Sequence, residues 1–246
     1  MRRQEALALL LASLATAGVA CSRGSEEHGA AGTVSARATA SAPPIESARK
    51  PEPIKVRSPS SISSSSGFSV RRCPPAKDDT FFFPKRSLGF REPHFDADAF
   101  RRRWYSLALR AMAEPSLSCE SVAGETYRFL WLRSFHPQIA VRVEAMAAGA
   151  RLTAFEQEYG GNRTNRTLST DEWNLLQEAL DRADFWTTDP WVRRGGPDGA
   201  QWVFEGRLDS RYQVVDRWTP HSGPIRELGL LFIRLSKISV PEKDVY

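Results

Sequence analysis

Beyond residue 67 the hydrophobic positions follow two periods, and each change of period marks a new element. Phe100, Trp104, Leu107 and Ala111 recur at spacings of four and three after Asp96, whose side chain offers an N-cap oxygen, and Pro115 closes the run. This predicts a core-packing helix with Arg101, Arg102 and Arg103 fanned over its remaining surface. Period two follows. Tyr127, Phe129 and Trp131 alternate with Arg128, Leu130 and Leu132, and after Pro137 the residues Ile139, Val141 and Val143 alternate with Arg142 and Glu144, giving two strands. A third strand is expected near Leu152 to Tyr159, then a turn at Gly160, Gly161 and Asn162 and a short return through Arg166 to Leu168.

Ser169 with Glu172 forms a capping box, and Trp173, Leu176, Leu180 and Ala183 give a second helix its buried stripe, ending near Asp184. A Pro/Gly-rich loop from Thr187 to Gly199 leads into strands Gln201 to Arg207 and Tyr212 to Trp218, joined around Asp209 and Ser210. Pro224 opens a last helix with Ile225, Leu228, Leu231, Phe232 and Leu235 facing inward. Consecutive strands joined by tight turns are antiparallel. The expected fold is therefore α+β: an antiparallel sheet of five or six strands with helices packed on one face.

The first 67 residues follow neither period. Arg2 and Arg3 precede an apolar Ala/Leu run that reaches Ala20, the pattern of an export signal over 1–20. From Cys21 to residue 67 the chain is rich in Ser, Ala, Pro and Gly, with a serine tract from Ser58 to Ser66, a composition that cannot offset its own chain entropy. It is expected to be a disordered tether of about 46 residues with a reach of roughly 35–40 Å. The single α+β globular domain then occupies 68–246, which holds all seven tryptophans.

Gly18, Val19, Ala20 and Cys21 resemble the lipobox of bacterial lipoproteins, with Gly18 where that family prefers Leu, Val or Ile. The resemblance implies a diacylglyceryl group on Cys21 and cleavage before it, hence a protein held at a membrane of the cell envelope. Ser22 after the cysteine implies passage to the outer membrane or its periplasmic face. Gly18 and Ala20 also satisfy the small-x-small rule of ordinary signal cleavage, which would release a secreted protein with a thiol at Cys21.

A net charge of +5 and a pI near 9.3 suit phosphate neutralisation, yet export argues against nucleic acid as the partner. Anionic envelope polymers or headgroups are the alternative for Arg101–Arg103, Arg193 and Arg194, beside the plainer reading of a solvated face. An oxidising compartment favours a Cys73–Cys119 disulfide, closing a loop of about 46 residues worth roughly 4 kcal/mol. Two buried thiols are the other possibility. Four histidines far apart in sequence give no metal-ligand spacing, and no cofactor motif is present. Asn162 and Asn165 begin Asn-x-Thr triplets, read as turn polarity in a bacterial chain.

The densest polar and aromatic chemistry lies in Asp198-Gly-Ala-Gln-Trp-Val-Phe-Glu-Gly206 and Tyr212-Gln-Val-Val-Asp-Arg-Trp-Thr-Pro220. With Trp131, Arg133, Phe135 and His136, these segments resemble a set of uncharacterised bacterial proteins, from about Thr126 to the C-terminal helix; the resemblance implies no activity. Two functions follow from the residues. One is a non-enzymatic envelope module binding a protein or polymer through Trp131, Arg133, Trp202, Arg217 and Trp218, since Trp and Arg anchor interfaces. The other is a hydrolase using Glu205, Asp216 and His221 as acid and base. Competing with catalysis is a structural role: Glu205 paired with Arg128 or Arg133, and Asp216 or Arg217 paired across the sheet. The tether, the anchor and the missing nucleophile motif favour the module.

Overall fold

A computed structural model describes residues 68–69, 82–89, 97–119, 124–157, 161–192, 195–196 and 198–246, all within one compact unit, Arg49–Tyr246. The signal segment, Cys21, the expected tether and Cys73 lie outside the described residues. The elements are β1 (Phe68–Ser69), α1 (Ala97–Ala111), β2 (Glu125–Arg133), β3 (Ile139–Met146), β4 (Gly149–Glu156), β5 (Asn162–Leu168), α2 (Thr170–Arg182), β6 (Ala200–Leu208), β7 (Arg211–Trp218) and α3 (Pro224–Ser236). A 3-10 turn over Glu242–Asp244 follows.

The strands form one antiparallel sheet in the order β1-β7-β6-β2-β3-β4-β5. The α+β architecture expected from the sequence is present, with six long strands and the two-residue β1 at one edge. A meander, β2 to β5, is extended by the β6–β7 hairpin, and β6 pairs with β2 so that Phe129 faces Phe204, Trp131 faces Trp202 and Arg128 faces Glu205. Alternation sends these residues to opposite sides of the sheet. Phe129, Trp131, Trp202 and Phe204 pack under α2 and α3, with Phe129 and Phe204 stacked at 4.8 Å. Leu130, Leu132, Val203 and Val214 point the other way, under α1 and the segment bearing Phe82, Phe83 and Leu88.

Helices therefore lie on both faces rather than one. The reason is visible in β2 and β6, which are buried along their whole length. Such strands need cover on each side.

The largest correction concerns α1. Phe100 and Leu107, expected in the core, are 56% and 46% exposed, and the buried side carries Asp98, Arg102, Tyr105 and Leu109. Asp98 accepts from Arg102 Nε (2.7 Å) and from the main-chain N–H of Arg86 (2.9 Å) and Leu88 (3.4 Å). A charge satisfied in this way can be buried, so Arg102 lies inside rather than on the surface.

Other elements differ at their ends. β4 covers Gly149–Glu156, starting before the expected Leu152, and Tyr159 and Gly160 lie outside the described residues. Asn162 and Asn165 belong to edge strand β5 rather than to a turn, with Asn165 Oδ1 accepting from Thr153 Oγ1 at 2.8 Å. The capping box of α2 is formed as expected. Glu172 also takes two bonds of 2.8 Å from Arg166, whose guanidinium donates to Leu235 O (2.7 and 2.9 Å), so β5 ties the start of α2 to the end of α3. Within α3, Gly229 is where the helix meets the sheet: a Cβ there would lie 2.2 Å from Trp202 Cζ3. No helix among the described residues is long and apolar enough to cross a membrane.

Candidate functional site

A cleft of about 330 Å³ opens where the N-terminal half of α1 passes over the end of β6 and β7. Its walls are Phe100, Trp104, Leu132 and Trp218, and Arg101 and Gln201 contribute its polar lining. The volume is at the small end of the range for ligand pockets. α1 presents Phe100 and Trp104 here because its opposite side is held down by the Asp98–Arg102 pair.

Behind the lining sits Asp216, fully buried on β7. Arg101 Nη1 donates to its Oδ2 at 3.0 Å and Tyr105 Oη donates to the same atom at 2.8 Å. With the Gln201 amide oriented to satisfy both neighbours, its nitrogen donates to Asp216 Oδ1 (2.6 Å) and its oxygen accepts from Arg101 (2.8 Å). Burial pushes the Asp216 carboxyl above its ordinary value, with Arg101 and the hydrogen bonds pulling the other way. Burial, reinforced by the Asp216 charge, also pushes the Tyr105 phenol well up, which keeps it an O–H donor. The result is a polar group of four side chains whose charges cancel beside a set of aromatic rings.

Trp218 is the common wall of this cleft, of a 270 Å³ pocket with Val192, His221 and Ile225, and of a 360 Å³ concavity with Asp198 and His221. Its seat is made by glycine. A Cβ on Gly199 would lie 2.7 Å from Trp218 Cζ2 and 2.4 Å from Thr219 Oγ1, so the Gly-rich loop lets the indole lie against backbone.

The five residues named as an interface divide between the core and the concavities around Trp218. Trp131 and Trp202 are core residues whose Nε1 atoms donate to the main-chain oxygen of Tyr246 at 3.2 and 2.8 Å. Arg133 lies over the Trp131 ring at 4.6 Å and donates to Pro137 O (2.8 Å). Arg217 donates to Asp189 O (2.8 Å), Asp216 O (2.9 Å) and Pro190 O (3.3 Å), fixing the 188–190 loop along β7. Arg133 lines the 330 Å³ cleft with Trp218 and Arg217 lines the 270 Å³ pocket with it, so the two arginines flank Trp218 while Trp131 and Trp202 stay in the core.

The three residues named as catalytic are also dispersed. Glu205 is sealed within the sheet, where Arg128 Nε donates to it at 2.8 Å and Arg128 Nη2 makes a second, shorter contact, while Tyr212 Oη donates at 2.8 Å. Arg128 was one of the two partners expected for it. Burial raises the Glu205 carboxyl, with Arg128 opposing. Beside this pair, Glu114 gathers Arg142 (2.9 Å), Arg163 (3.2 Å) and Arg128 (3.6 Å). Asp216 pairs with Arg101 from α1, not across the sheet, and His221 lies on the loop before α3, lining other concavities. Among the described residues no group of three His, Cys, Asp or Glu side chains is placed to hold a metal. Cys119 is buried with Sγ 3.2 Å from Ser116 Oγ, and its expected bridge involves Cys73, outside the described residues.

The sequence placed Phe100 and Trp104 in the core and Arg101 in a basic run, and did not bring them together with Gln201 as one cleft. Two signals were present, the basic run at Arg101–Arg103 and the Gly-Ala-Gln-Trp segment holding Gln201. Comparison with known proteins finds no family model that matches the chain and no curated protein similar to it.

Proposed function

We infer that the chain is an exported, lipid-anchored protein of the cell envelope whose globular domain is a non-enzymatic binding module. The lipobox-like end at Cys21 supplies the anchor, and the segment to residue 67 supplies the reach. The single observation favouring binding is the cleft beside Trp218: exposed Phe100 and half-buried Trp104 and Trp218 flank a hydrogen-bonded polar group whose charges cancel. Such a site offers stacking area and a few directed donors and acceptors without a reactive group, and aromatic residues in a partly enclosed position are the usual anchors of recognition. The ligand is a segment of an envelope polymer or protein. Hydrolysis has weaker support, since Glu205 and Asp216 are each fully buried and held by an arginine, Arg128 and the half-buried Arg101, whereas His221 lines concavities beside Trp218.

Crosslinking in the native envelope followed by mass spectrometry tests this reading. A partner captured by wild type and lost in Trp218→Ala, with the variant's melting temperature preserved, is the expected result. Equal capture by Trp218→Ala, or recovery of the uncrosslinked monomer alone from both proteins, would overturn it. Arg217→Ala serves as a second variant, expected to weaken capture indirectly by releasing the 188–190 loop.

A further inference from the structure

The sheet has one covered edge and one open one. β7 is flanked by β1 and by Pro190 and Trp191, which meet it at Asp216. At the far end β5 pairs with β4 alone, and among the described residues no main-chain group outside β4 bonds to its backbone. Every second residue of such a strand directs its N–H and C=O away from its partner, so β5 presents a row of donors and acceptors along its seven residues. Among the described residues the one side-chain bond to this backbone, Arg166 Nη1 to Thr167 O at 3.4 Å, leaves that oxygen a second lone pair. Exposed edges are normally guarded by proline, a bulge or free charges. β5 reads Asn-Arg-Thr-Asn-Arg-Thr-Leu, with no Pro or Gly, and both arginines are drawn onto the faces of the sheet. Arg163 donates to Glu114 (3.2 Å) and Met112 O on one face, and Arg166 donates to Glu172 (2.8 Å) and Leu235 O (2.7 Å) on the other.

The strand also complements itself. Two copies laid antiparallel about a two-fold axis through Asn165 pair all seven residues: Asn162 meets Leu168 of the second copy, Arg163 meets Thr167, Thr164 meets Arg166, and the two Asn165 residues meet each other. No guanidinium then faces another. An axis at Arg163 or Arg166 would oppose like charges, and one at Thr164 would leave Thr167 and Leu168 without strand partners. Opposed residues are an even number of positions apart in sequence, so side chains stay on matching faces, with α2 and α3 of both copies on one side. Asn165 Oδ1 accepts from Thr153 Oγ1 at 2.8 Å, which leaves its NH2 and one lone pair for the amide of the second Asn165. We propose that β5 docks on β5 of a second copy, joining the two sheets through about six to eight main-chain hydrogen bonds. One strand from each copy makes a small, reversible interface. Each Trp218 cleft then lies at the end of the joined sheet farthest from the axis, so the pair offers two clefts to one repeating polymer; the strand pairing itself stands without that binding reading.

Oxidative crosslinking of the full chain by copper-phenanthroline tests this, with wild type giving the background from its own three cysteines. Opposed Cα atoms lie about 4.5–5.5 Å apart, within disulfide reach, whereas position 164 lies about 8 Å from position 164 of the second copy. Asn165→Cys is therefore expected to crosslink about tenfold faster than Thr164→Cys, with peptide mapping placing the bond between the two 165 positions. Adding Thr164→Arg to Asn165→Cys sets like charges opposite Arg166 twice and should slow crosslinking about tenfold, while adding Thr164→Glu should speed it. Far-UV circular dichroism and melting temperature confirm that the variants stay folded. Sedimentation equilibrium of wild type, which needs no engineered cysteine, should show a monomer–dimer equilibrium that Thr164→Arg shifts by the same factor. Equal rates for Asn165→Cys and Thr164→Cys, equal rates for the two charge variants, or a wild type that stays monomeric at about 1 mM would overturn the proposal. So would crosslinking to a different protein when the oxidation is run in the envelope fraction, which would assign the edge to a foreign strand.

Discussion

Gly229→Ala sets helix propensity directly against packing. In a solvent-facing helix the change would stabilise by about 1 kcal/mol, because glycine loses the most backbone freedom on folding. At Gly229 the added methyl lies 2.2 Å from Trp202 Cζ3, 2.4 Å from its Cε3 and 3.2 Å from Phe204 Cζ. Ordinary carbon contacts need about 3.5–4 Å, so α3 or the indole must shift by roughly 1.5 Å. The indole has nowhere to go. Its ring lies 5.2 Å from Phe129 and 5.4 Å from Trp131 between centroids, and Nε1 is bonded to Tyr246 O. Overpacking of such a core costs about 1–3 kcal/mol or more. Set against the propensity gain, the expected net loss is about 2 kcal/mol, or roughly 4–8 °C for a domain of this size. Thermal and urea unfolding of the variant measure it. A second arm puts Trp202→Phe beneath Gly229→Ala: the smaller ring leaves room for the methyl, so the double variant should lose less than the two single losses added together. An unchanged or raised melting temperature in Gly229→Ala would refute the argument, as would strict additivity in the double variant.

Three further outcomes are expected. Glu205→Ala leaves Arg128 buried beside Glu114 at 3.6 Å as its remaining carboxylate partner, and should cost about 3–5 kcal/mol in urea midpoints; replacing both partners by Leu and Met should cost less, and a single-variant loss under about 1 kcal/mol would show the pair to be solvent-screened. Glu172, held by Arg166 and the Ser169 N–H, has its carboxyl lowered to about 2. Because the folded value lies below the unfolded one of about 4.3, its contribution is complete above that unfolded value and disappears as pH falls toward 2. Wild type should therefore exceed Glu172→Gln by about 1 kcal/mol at neutral pH after solvent screening, with the two melting temperatures converging in acid; a constant gap would contradict this. Ser169→Ala removes the cap oxygen that accepts from Glu172 N at 3.1 Å and should cost about 1 kcal/mol, read as a lower melting temperature without loss of partner capture.

Elements governed by local rules were legible in the sequence. The alternation of Tyr127, Phe129 and Trp131, the Ser169 capping box, the turn at Asp209 and Pro224 at the head of α3 each depend on a few neighbouring residues, and each is present. The orientation of α1 was not legible, because what holds Asp98, Arg102 and Tyr105 inward includes partners outside the helix: the main-chain N–H groups of Arg86 and Leu88, 12 and 10 residues before Asp98, and Asp216, 111 residues beyond Tyr105. Periodicity ranks faces by hydropathy alone. It has no access to a partner that makes a polar face cheap to bury. The same limit explains the candidate interface: Trp131 and Trp202 have the chemistry of interface anchors, and only the fold brings Tyr246 O to both indoles. Glu205 was half legible, its partner named as one of two arginines before register selected Arg128.

The Arg128–Glu205 pair also bears on how the sheet can be assembled. A chain synthesised from its N-terminus completes the β2–β5 meander before β6 exists, so for that interval β2 is an edge strand with a guanidinium pointing inward. An inward charge on an open edge discourages a stray strand, including one from a second copy, from pairing there. Glu114, which precedes β2, supplies one carboxylate at 3.6 Å, and β6 adds Glu205 directly opposite after closing a loop of roughly 70 residues, the costly long-range step of the topology. A one-residue slip of β6 would turn Glu205 to the other face of the sheet and away from Arg128, so the pair favours a single register of β6 on β2 once that loop has closed.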